Sequence, residues 1–277
     1  MRLLDQQNTK LNIFKSEISK FTPQIFVGKK SGIYTKPNPE ATSVLLELNG
    51  HYFVVTAGHV LAHELSIGFA LGRKFYPLHQ DLFFYYYDSD EQTINNKWDI
   101  GVVKIESDTV DALKQFGYQF INYNHLWLST DHSPDNWYLL LGFPAGQIKH
   151  NKARRLFKCK PFSLITKEID DMYPKLGIGQ DYKLVVKYDR KRIERSDNGE
   201  TIIGPELKGV SGSGLWWLAD GVPKLAAIFT DWDRKLNLLT ATRTNVIVEI
   251  LRQRFQIDLP KIKNQDLENL ISESFVD

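Results

Sequence analysis

The stretch KGVSGSGLW, residues 208–216, places Ser211 between two glycines, directly before an apolar run that is typical of a β-strand. A serine hydroxyl is a weak nucleophile at its free pKa. A catalytic serine therefore needs a neighbouring base, and the oxyanion that it generates needs backbone N–H donors. Glycines at 209 and 212 allow a tight turn without a Cβ penalty and can direct the amides of Gly209 and Ser211 into one small space. The stretch indicates a nucleophile turn, with an ordinary glycine-rich loop as the alternative.

Two upstream stretches favour the nucleophile turn. In VVTAGHV, residues 54–60, an apolar run ends in a small-residue turn that carries His59. In KWDIGVVKI, residues 97–105, Asp99 stands at the start of an alternating strand pattern. The chain order His, Asp, Ser is that of the chymotrypsin-like proteases, whereas subtilisins and α/β-hydrolases use other orders. The G-x-S-x-G elbow of α/β-hydrolases is also absent, because Ser213 stands two residues after Ser211.

The chain resembles the trypsin-like serine peptidases of the chymotrypsin fold, especially the bacterial members without disulfides. The resemblance rests on TAGH (56–59), DIGVV (99–103) and GVSG (209–212), and it covers residues 32–254. The resemblance implies an all-β fold, with two six-stranded β-barrels of the chymotrypsin type and with N-terminal and C-terminal helical extensions. It divides the chain into an N-terminal helical extension (1–31), a first β-barrel with His59 and Asp99 (32–130), a second β-barrel with Ser211 (131–243) and C-terminal helices (244–277).

The resemblance also implies a role for each residue of the motifs. His59 is the general base, Asp99 accepts its Nδ1 proton, Ser211 is the nucleophile, and the amides of Gly209 and Ser211 form the oxyanion hole. The implied activity is that of a serine endopeptidase that acts through an acyl-enzyme on a peptide or a specific protein substrate. It needs no cofactor, and it allows for an activating protein partner. Ser213 is the weaker choice of nucleophile, because the glycines are placed around Ser211. A catalytically silent peptide-binding module and an esterase with the same triad are the alternatives.

Substrate selection is predicted from the residues around the nucleophile. The position six residues before it, which forms the floor of the S1 pocket in the resembled family, is Pro205 here. Members selective for arginine or lysine carry an aspartate there, so that selectivity is not expected, and Glu206 could reach the pocket only through a different loop shape. Residues 225–230 should line the cleft and pair with a bound peptide. The pocket wall is predicted at Phe229, Thr230, Asp231 and Trp232. Their bulk favours a small or medium apolar P1 side chain.

Val210 departs from the zymogen-type members, which carry an aspartate just before the nucleophile. In those members the aspartate captures a newly cut N-terminus, and without a carboxylate this switch cannot operate. The oxyanion hole is therefore expected to be preformed, or to be ordered by something else such as a partner.

Composition excludes some functions and favours a location. The chain has 277 residues with 42% hydrophobic content, which is ample for a core. With 35 basic and 33 acidic residues the net charge is +2, so no global field argues for a nucleic-acid partner. The single cysteine, Cys159, excludes an intramolecular disulfide and fits a reducing compartment. The first 20 residues lack a signal-type apolar core, and no segment is apolar enough to span a membrane. A cytoplasmic protein without membrane contact is predicted.

Two further patterns have features of binding sites. His59 and His63 have the i, i+4 spacing of a metal pair, but Val60 breaks the H-E-x-x-H pattern and no third ligand stands at a recognisable spacing. A zinc site is therefore disfavoured. Residues 149–160 are strongly basic and are predicted to be a solvated strand face or loop, with a patch for an acidic substrate or nucleic acid as the alternative.

Local patterns predict the elements around these motifs. Residues 3–21 are expected to form an amphipathic helix outside the barrel. Asn49-Gly50 should close a hairpin between strands 41–48 and 51–56, because both turn positions favour positive φ. The remaining predictions are a helical turn at 59–63, a loop at 88–96, strands at 82–87, 137–143 and 183–188, a helix at 244–255 with Thr244 as its cap, and a second amphipathic helix at 265–275.

Overall fold

The computed structural model describes residues 2–28, 38–62, 66–72, 74–79, 83–86, 98–128, 136–151, 156–194, 201–218 and 221–262. Most of the regular structure in these residues is β. The strands are β1 (Gln24–Gly28), β2 (Asn38–Thr42), β3 (Val44–Leu48), β4 (His51–Thr56), β5 (Ser66–Leu71), β6 (Lys74–Pro77), β7 (Phe83–Tyr86), β8 (Ile100–Lys104), β9 (Trp137–Gly142), β10 (Ile148–Asn151), β11 (Leu156–Cys159), β12 (Phe162–Lys167), β13 (Lys183–Lys187), β14 (Ile193–Glu194), β15 (Thr201–Ile202), β16 (Gly214–Trp217), β17 (Lys224–Asp233) and β18 (Leu238–Arg243). The helices are α1 (Arg2–Lys20), α2 (Gly58–Leu61), α3 (Ser107–Gln115), α4 (Tyr173–Leu176) and α5 (Thr244–Arg254).

The first half of the chain forms two four-stranded antiparallel sheets, ordered β2-β1-β5-β6 and β3-β4-β8-β7. Only Ser43 separates β2 from β3, so one extended segment contributes to both sheets. An apolar cluster with members from both sheets includes Leu45, Val54, Phe69 and Val103. Successive side chains of a strand point to opposite faces, and alternate residues therefore fill this interior.

The second half is organised around a six-stranded antiparallel sheet, ordered β12-β9-β16-β17-β18-β13. The sheet curls into a half-barrel, and an isolated bridge between Glu168 and Val186 brings its two edges together. At this junction Glu168 forms a buried ion pair with Arg243, and the Tyr173 hydroxyl donates to the same carboxylate at 2.5 Å. The polar partners matter because a buried charge without them is very unfavourable.

Another apolar cluster, which we call the seam cluster, joins the two halves and both ends of the described chain. Its members include Leu11, Ile18, Phe53, Val102, Leu139, Trp216 and Ile250. These residues come from α1, from β4 and β8 of the first half, from β9 and β16 of the second half, and from α5. The predicted N-terminal helix is thus confirmed, and one face of it packs on the seam cluster. His59 follows β4, Asp99 precedes β8 and Ser211 precedes β16, and all three strands contribute to this cluster.

The Asn49-Gly50 hairpin is confirmed. The φ angles of the two residues are 50° and 78°, and Leu48 pairs with His51 directly across the turn. Positive φ at both central positions matches the twist of the flanking strands. The second strand of this hairpin, β4, leads to the segment that carries His59.

The predicted strands at 82–87, 137–143 and 183–188 are confirmed as β7, β9 and β13. His63 and the segments 88–96 and 265–275, for which predictions were made, lie outside the described residues. In the basic segment 149–160, the structure describes mainly the paired backbones of β10 and β11. Among the described helices, none combines the length and apolar character needed to cross a membrane.

The helix at 244–255 is confirmed as α5, but Thr244 is not its cap. Arg243 occupies the cap position and makes no side-chain capping bond. Thr244 Oγ1 instead donates to the carbonyl of Leu225 at 2.9 Å. Leu225 lies on β17, so a tertiary acceptor has replaced the local one that the sequence pattern suggested.

Candidate functional site

Strand pairing brings His59 and Asp99 together. β4 ends at Thr56 and β8 begins at Ile100, and the antiparallel register pairs Thr56 with Gly101. The C-terminal end of β4 therefore lies beside the N-terminal end of β8. His59 follows β4 on the short helix α2, and Asp99 directly precedes β8. Residues 40 positions apart in sequence thus meet at one edge of the sheet.

The Asp99 carboxylate contacts both the ring and the backbone of His59. His59 Nδ1 lies 2.9 Å from Asp99 Oδ2 and 3.2 Å from Oδ1, and the His59 amide donates to Oδ1 at 2.8 Å. The Asp99 side chain is 7% exposed, whereas the His59 side chain is 32% exposed. With Nδ1 donating to the buried carboxylate, Nε2 is the nitrogen that can exchange a proton with another group.

The surroundings of His59 favour its protonated form. Burial lowers the pKa of His59, but the hydrogen bond and the charge of Asp99 raise it, as do the charges of Asp231 and Glu40. The net effect is a pKa above the ordinary value of a histidine. The imidazolium that forms when His59 accepts a proton is therefore stabilised by nearby negative charge.

The loop that carries Ser211 is docked onto the first half of the chain. The Thr42 amide donates to the Ser211 carbonyl at 2.9 Å, and Thr42 Oγ1 donates to the Gly209 carbonyl at 2.8 Å. Gly212 packs so closely that an added Cβ would lie 2.1 Å from both the Thr42 carbonyl oxygen and Thr56 Oγ1. Since Thr56 ends the strand that leads to His59, this docking seats the Ser211 loop against the end of the strand that precedes His59.

The backbone of this loop leaves two amides available. Gly209 and Gly212 have φ angles of 90° and 87°, which non-glycine residues rarely adopt. The amides of Val210, Gly212 and Ser213 donate to carbonyl oxygens of the fold. Within the described part of the chain, the amides of Gly209 and Ser211 donate to no acceptor. The arrangement supplies two N–H donors on either side of Val210, and such donors can bind a negatively charged oxygen.

The two serines of the loop differ in their surroundings. Ser213 is fully buried, and its hydroxyl donates to the Val210 carbonyl at 2.5 Å. Ser211 is half-buried, and its hydroxyl makes no hydrogen bond to any other described residue. The hydroxyl of Ser211 is thus the one that a solvent-borne molecule can approach.

The residues predicted to shape the substrate pocket lie in different environments. Phe229 and Thr230 are buried, and Thr230 Oγ1 donates to the Thr240 carbonyl at 3.1 Å. Asp231 is exposed. Pro205 is half-buried, and its carbonyl accepts a hydrogen bond of 2.7 Å from the Tyr188 hydroxyl. Of the predicted wall, Asp231 is therefore the side chain that presents a charge to solvent.

Glu206 is engaged elsewhere. Its carboxylate forms ion pairs with Arg190 and, at 2.8 Å, with Arg234. These three side chains help to line a cavity, and neither His59 nor Ser211 is among its lining residues. The structure thus gives Glu206 partners away from the candidate site.

The strand predicted to pair with substrate needs a correction. Between Leu225 and Ile228, β17 is hydrogen-bonded to β16 on one side, and its segment from Ala227 onward pairs with β18 on the other. Pairing with β16 stops at Ile228, whereas pairing with β18 continues to Asp233. The strand edge at 231–233 is therefore the part that lacks a partner on the β16 side among the described strands.

Sequence patterns did not identify Thr42, Lys183 or Thr242 as parts of this site. Thr42 holds the Ser211 loop, and the side chains of Lys183 and Thr242 contact the carbonyl of Trp98, the residue before Asp99. None of the three stands in a local motif, and no sequence signal would have found them.

No metal centre accompanies the site in the part of the chain that the structure describes, where no group of three or more potential ligands is found. The comparisons with known proteins give no family: no protein-family model matches the chain, and no curated protein matches it.

Proposed function

We propose that the protein is a serine endopeptidase in which Ser211, His59 and Asp99 act as a catalytic triad. The observation that carries the proposal is the buried Asp99 carboxylate on His59 Nδ1, beside a docked loop in which the amides of Gly209 and Ser211 are available. Each half of the chain contributes one part of this catalytic site. The base and its carboxylate come from the first half, and the nucleophile and the oxyanion donors come from the second.

The proposed reaction has two proton transfers through His59. In acylation, Ser211 Oγ attacks the peptide carbonyl carbon while His59 Nε2 takes the hydroxyl proton, and the amides of Gly209 and Ser211 bind the oxyanion. The C–N bond then breaks, and the leaving amine takes the proton from His59. Water repeats the sequence in deacylation: it gives a proton to His59 and releases the acid, and Ser211 recovers the proton. Asp99 stabilises the imidazolium in both steps.

The fold is consistent with the two-barrel chymotrypsin architecture, which we include in the proposal. The two sheets of the first half share the continuous segment β2–β3, and the sheet of the second half curls until its edges meet. The divisions at 1–31, 32–130, 131–243 and 244–277, the cytoplasmic location and an activating partner remain predictions of the same kind.

We place the bound peptide along the open edge at 231–233, where it would add a strand to β17. Backbone pairing at this edge would lead the peptide toward Ser211, because Phe229, two residues before Asp231 in β17, exchanges backbone hydrogen bonds with the nucleophile loop. Its carbonyl accepts from the Gly212 amide and its amide donates to the Ser213 carbonyl, each at 2.8 Å. The exposed Asp231 is then positioned to contact the substrate.

A fluorophosphonate probe tests the proposal, because it reacts covalently with an activated serine. Intact-mass analysis should show one adduct on the wild type and none on Ser211→Ala, while Ser213→Ala is labelled if it folds. Hydrolysis of a peptide library and of a panel of small esters by the unlabelled wild type, with Ser211→Ala as the blank, then decides between peptidase and esterase. An intact fold with no labelling of the wild type would overturn the catalytic proposal and favour a peptide-binding module.

A further inference from the structure

Two side chains of the second half converge on one carbonyl of the first half. The carbonyl of Trp98 accepts a hydrogen bond from Thr242 Oγ1, and Lys183 Nζ lies 3.4 Å from the same oxygen. Lys183 and Thr242 are direct partners across β13 and β18, and their Nζ and Oγ1 atoms are 3.1 Å apart. The cross-strand pair therefore presents an ammonium and a hydroxyl together to the residue before Asp99.

Lys183 is an unusual residue for this position. It is 5% exposed, and it opens a strand whose next three residues, Leu184, Val185 and Val186, are buried and apolar. Burial lowers the pKa of Lys183 to about 8, while the charges of Asp99 and Asp231 act in the opposite direction. An apolar side chain would fill this space without the desolvation penalty of an amine. The polar contact with Trp98 is what an apolar residue would not provide.

The contacted peptide determines the conformation of Asp99. The Trp98 carbonyl belongs to the peptide bond that joins Trp98 to Asp99, so holding this oxygen restricts the φ rotation of Asp99. Asp99 has a φ of +34°, which is sparsely populated for a residue with a side chain. Residues in such conformations persist where surrounding contacts hold them. Here the surrounding contacts come from Lys183 and Thr242.

We infer that Lys183 and Thr242 are positioning residues that clamp the Trp98 carbonyl and thereby hold Asp99 in the orientation that aligns His59. The inference rests on the proposed function for its catalytic consequence. Its structural part, the orientation of His59 by a clamp from the other half, is independent of catalysis. The clamp also means that the His59–Asp99 pair reaches its final geometry only when the two halves dock.

Thr242→Val and Thr242→Ser form a matched pair for the test, because valine keeps the shape and removes the hydroxyl, while serine keeps the hydroxyl. Lys183→Met removes the amine and keeps a chain of similar length. We expect Thr242→Val and Lys183→Met to lower kcat about tenfold to a hundredfold with little change in KM, since small misplacements of catalytic groups have effects of this size. Thr242→Ser should stay within about threefold of the wild type.

The pKa of His59, measured by NMR titration of its ring protons, distinguishes the clamp from simpler explanations and needs no catalysis. Loosening Asp99 weakens the interaction that raises this pKa, so the pKa of His59 should fall in both Thr242→Val and Lys183→Met. If Lys183 acted through its charge alone, its removal would raise the pKa of His59, and Thr242→Val would leave it unchanged. Either that result or an unchanged pKa in both folded variants would overturn the inference.

The outcomes separate this inference from the proposed function. Fluorophosphonate labelling of the wild type reports on Ser211 whether or not the clamp exists. The His59 titration reports on the clamp even if the wild type is not labelled. If Lys183→Met does not fold, the comparison of Thr242→Val with Thr242→Ser decides the matter.

Discussion

Gly212→Ala tests the docking of the nucleophile loop most directly, and the structure provides matched controls. An alanine at 212 would need a φ of +87° and would place its Cβ 2.1 Å from the Thr42 carbonyl oxygen and 2.1 Å from Thr56 Oγ1. Gly50 and Gly117 also have positive φ, 78° and 84°, but an added Cβ would meet nothing within 4 Å at either position. The controls carry the backbone strain without the steric clash.

The expected magnitudes follow from this difference. A positive φ costs a residue with a Cβ about 1 to 2 kcal/mol, and that should be the loss in the free energy of unfolding for Gly50→Ala and Gly117→Ala. Gly212→Ala should lose about 2 kcal/mol more, because overpacking of a well-packed site typically costs about 1 to 3 kcal/mol. One of the two obstructing atoms belongs to the backbone of Thr42, which is hydrogen-bonded to the same loop and cannot move away freely.

The assay is urea denaturation followed by tryptophan fluorescence, with fluorophosphonate labelling of the folded variants as a second readout. Labelling of Gly212→Ala should be slowed strongly, because the strained residue follows Ser211 directly, whereas both controls should be labelled at the wild-type rate. If Gly212→Ala were destabilised no more than the controls, the loop would not be seated on Thr42 and Thr56, and Ser211 would not be held near the strand that leads to His59.

Three further predictions concern titration and the buried ion pair. Because the charge of Asp231 raises the pKa of His59 and reaction with the probe needs neutral His59, Asp231→Asn should move the acid limb of the labelling rate to lower pH. Glu168→Gln should lower the free energy of unfolding by about 3 kcal/mol, measured by urea denaturation, since it leaves the buried Arg243 without its counter-charge. The pKa of Lys183 is about 8 in the folded state and near its ordinary value in the unfolded state. At pH values between these two pKa values, the folded state therefore binds fewer protons than the unfolded state. Stability should therefore rise with pH from about 8 to 10 relative to Lys183→Met.

Controls for these predictions use exposed groups. Asp171 pairs with Lys175 on the surface, and Asp171→Asn should leave both the unfolding midpoint and the acid limb of labelling unchanged. An acid limb that moves equally in Asp171→Asn and Asp231→Asn would contradict the assignment of the shift to Asp231. A Glu168→Gln protein as stable as the wild type would show that Arg243 is solvated in the absence of its partner.

Local sequence signals predicted the elements that depend on neighbouring residues. Asn49-Gly50 predicted the hairpin because positive φ at both positions is a property of these two residues, and the apolar periodicity at 244–255 predicted α5 in the same way. By contrast, β1, β5, β6 and α3 were not predicted. Their segments form regular structure through sheet partners and an interior that lie elsewhere in the chain.

At the site, the amino-acid order already proposed His59, Asp99 and Ser211, because each stands at a turn of recognisable composition next to a strand pattern. The sequence by itself determined that His59, Asp99 and Ser211 each stand at a turn beside a strand. Tertiary structure alone decided that Thr42 holds the Ser211 loop and that Lys183 and Thr242 reach Trp98. It also decided that Glu206 pairs with Arg190 and Arg234 away from the candidate site. The physical reason is distance along the chain: Thr42 and Gly209 are 167 positions apart, and contact between them depends on strand register and on docking of the two halves. A turn needs only the φ preferences of adjacent residues, whereas such contacts need the whole fold.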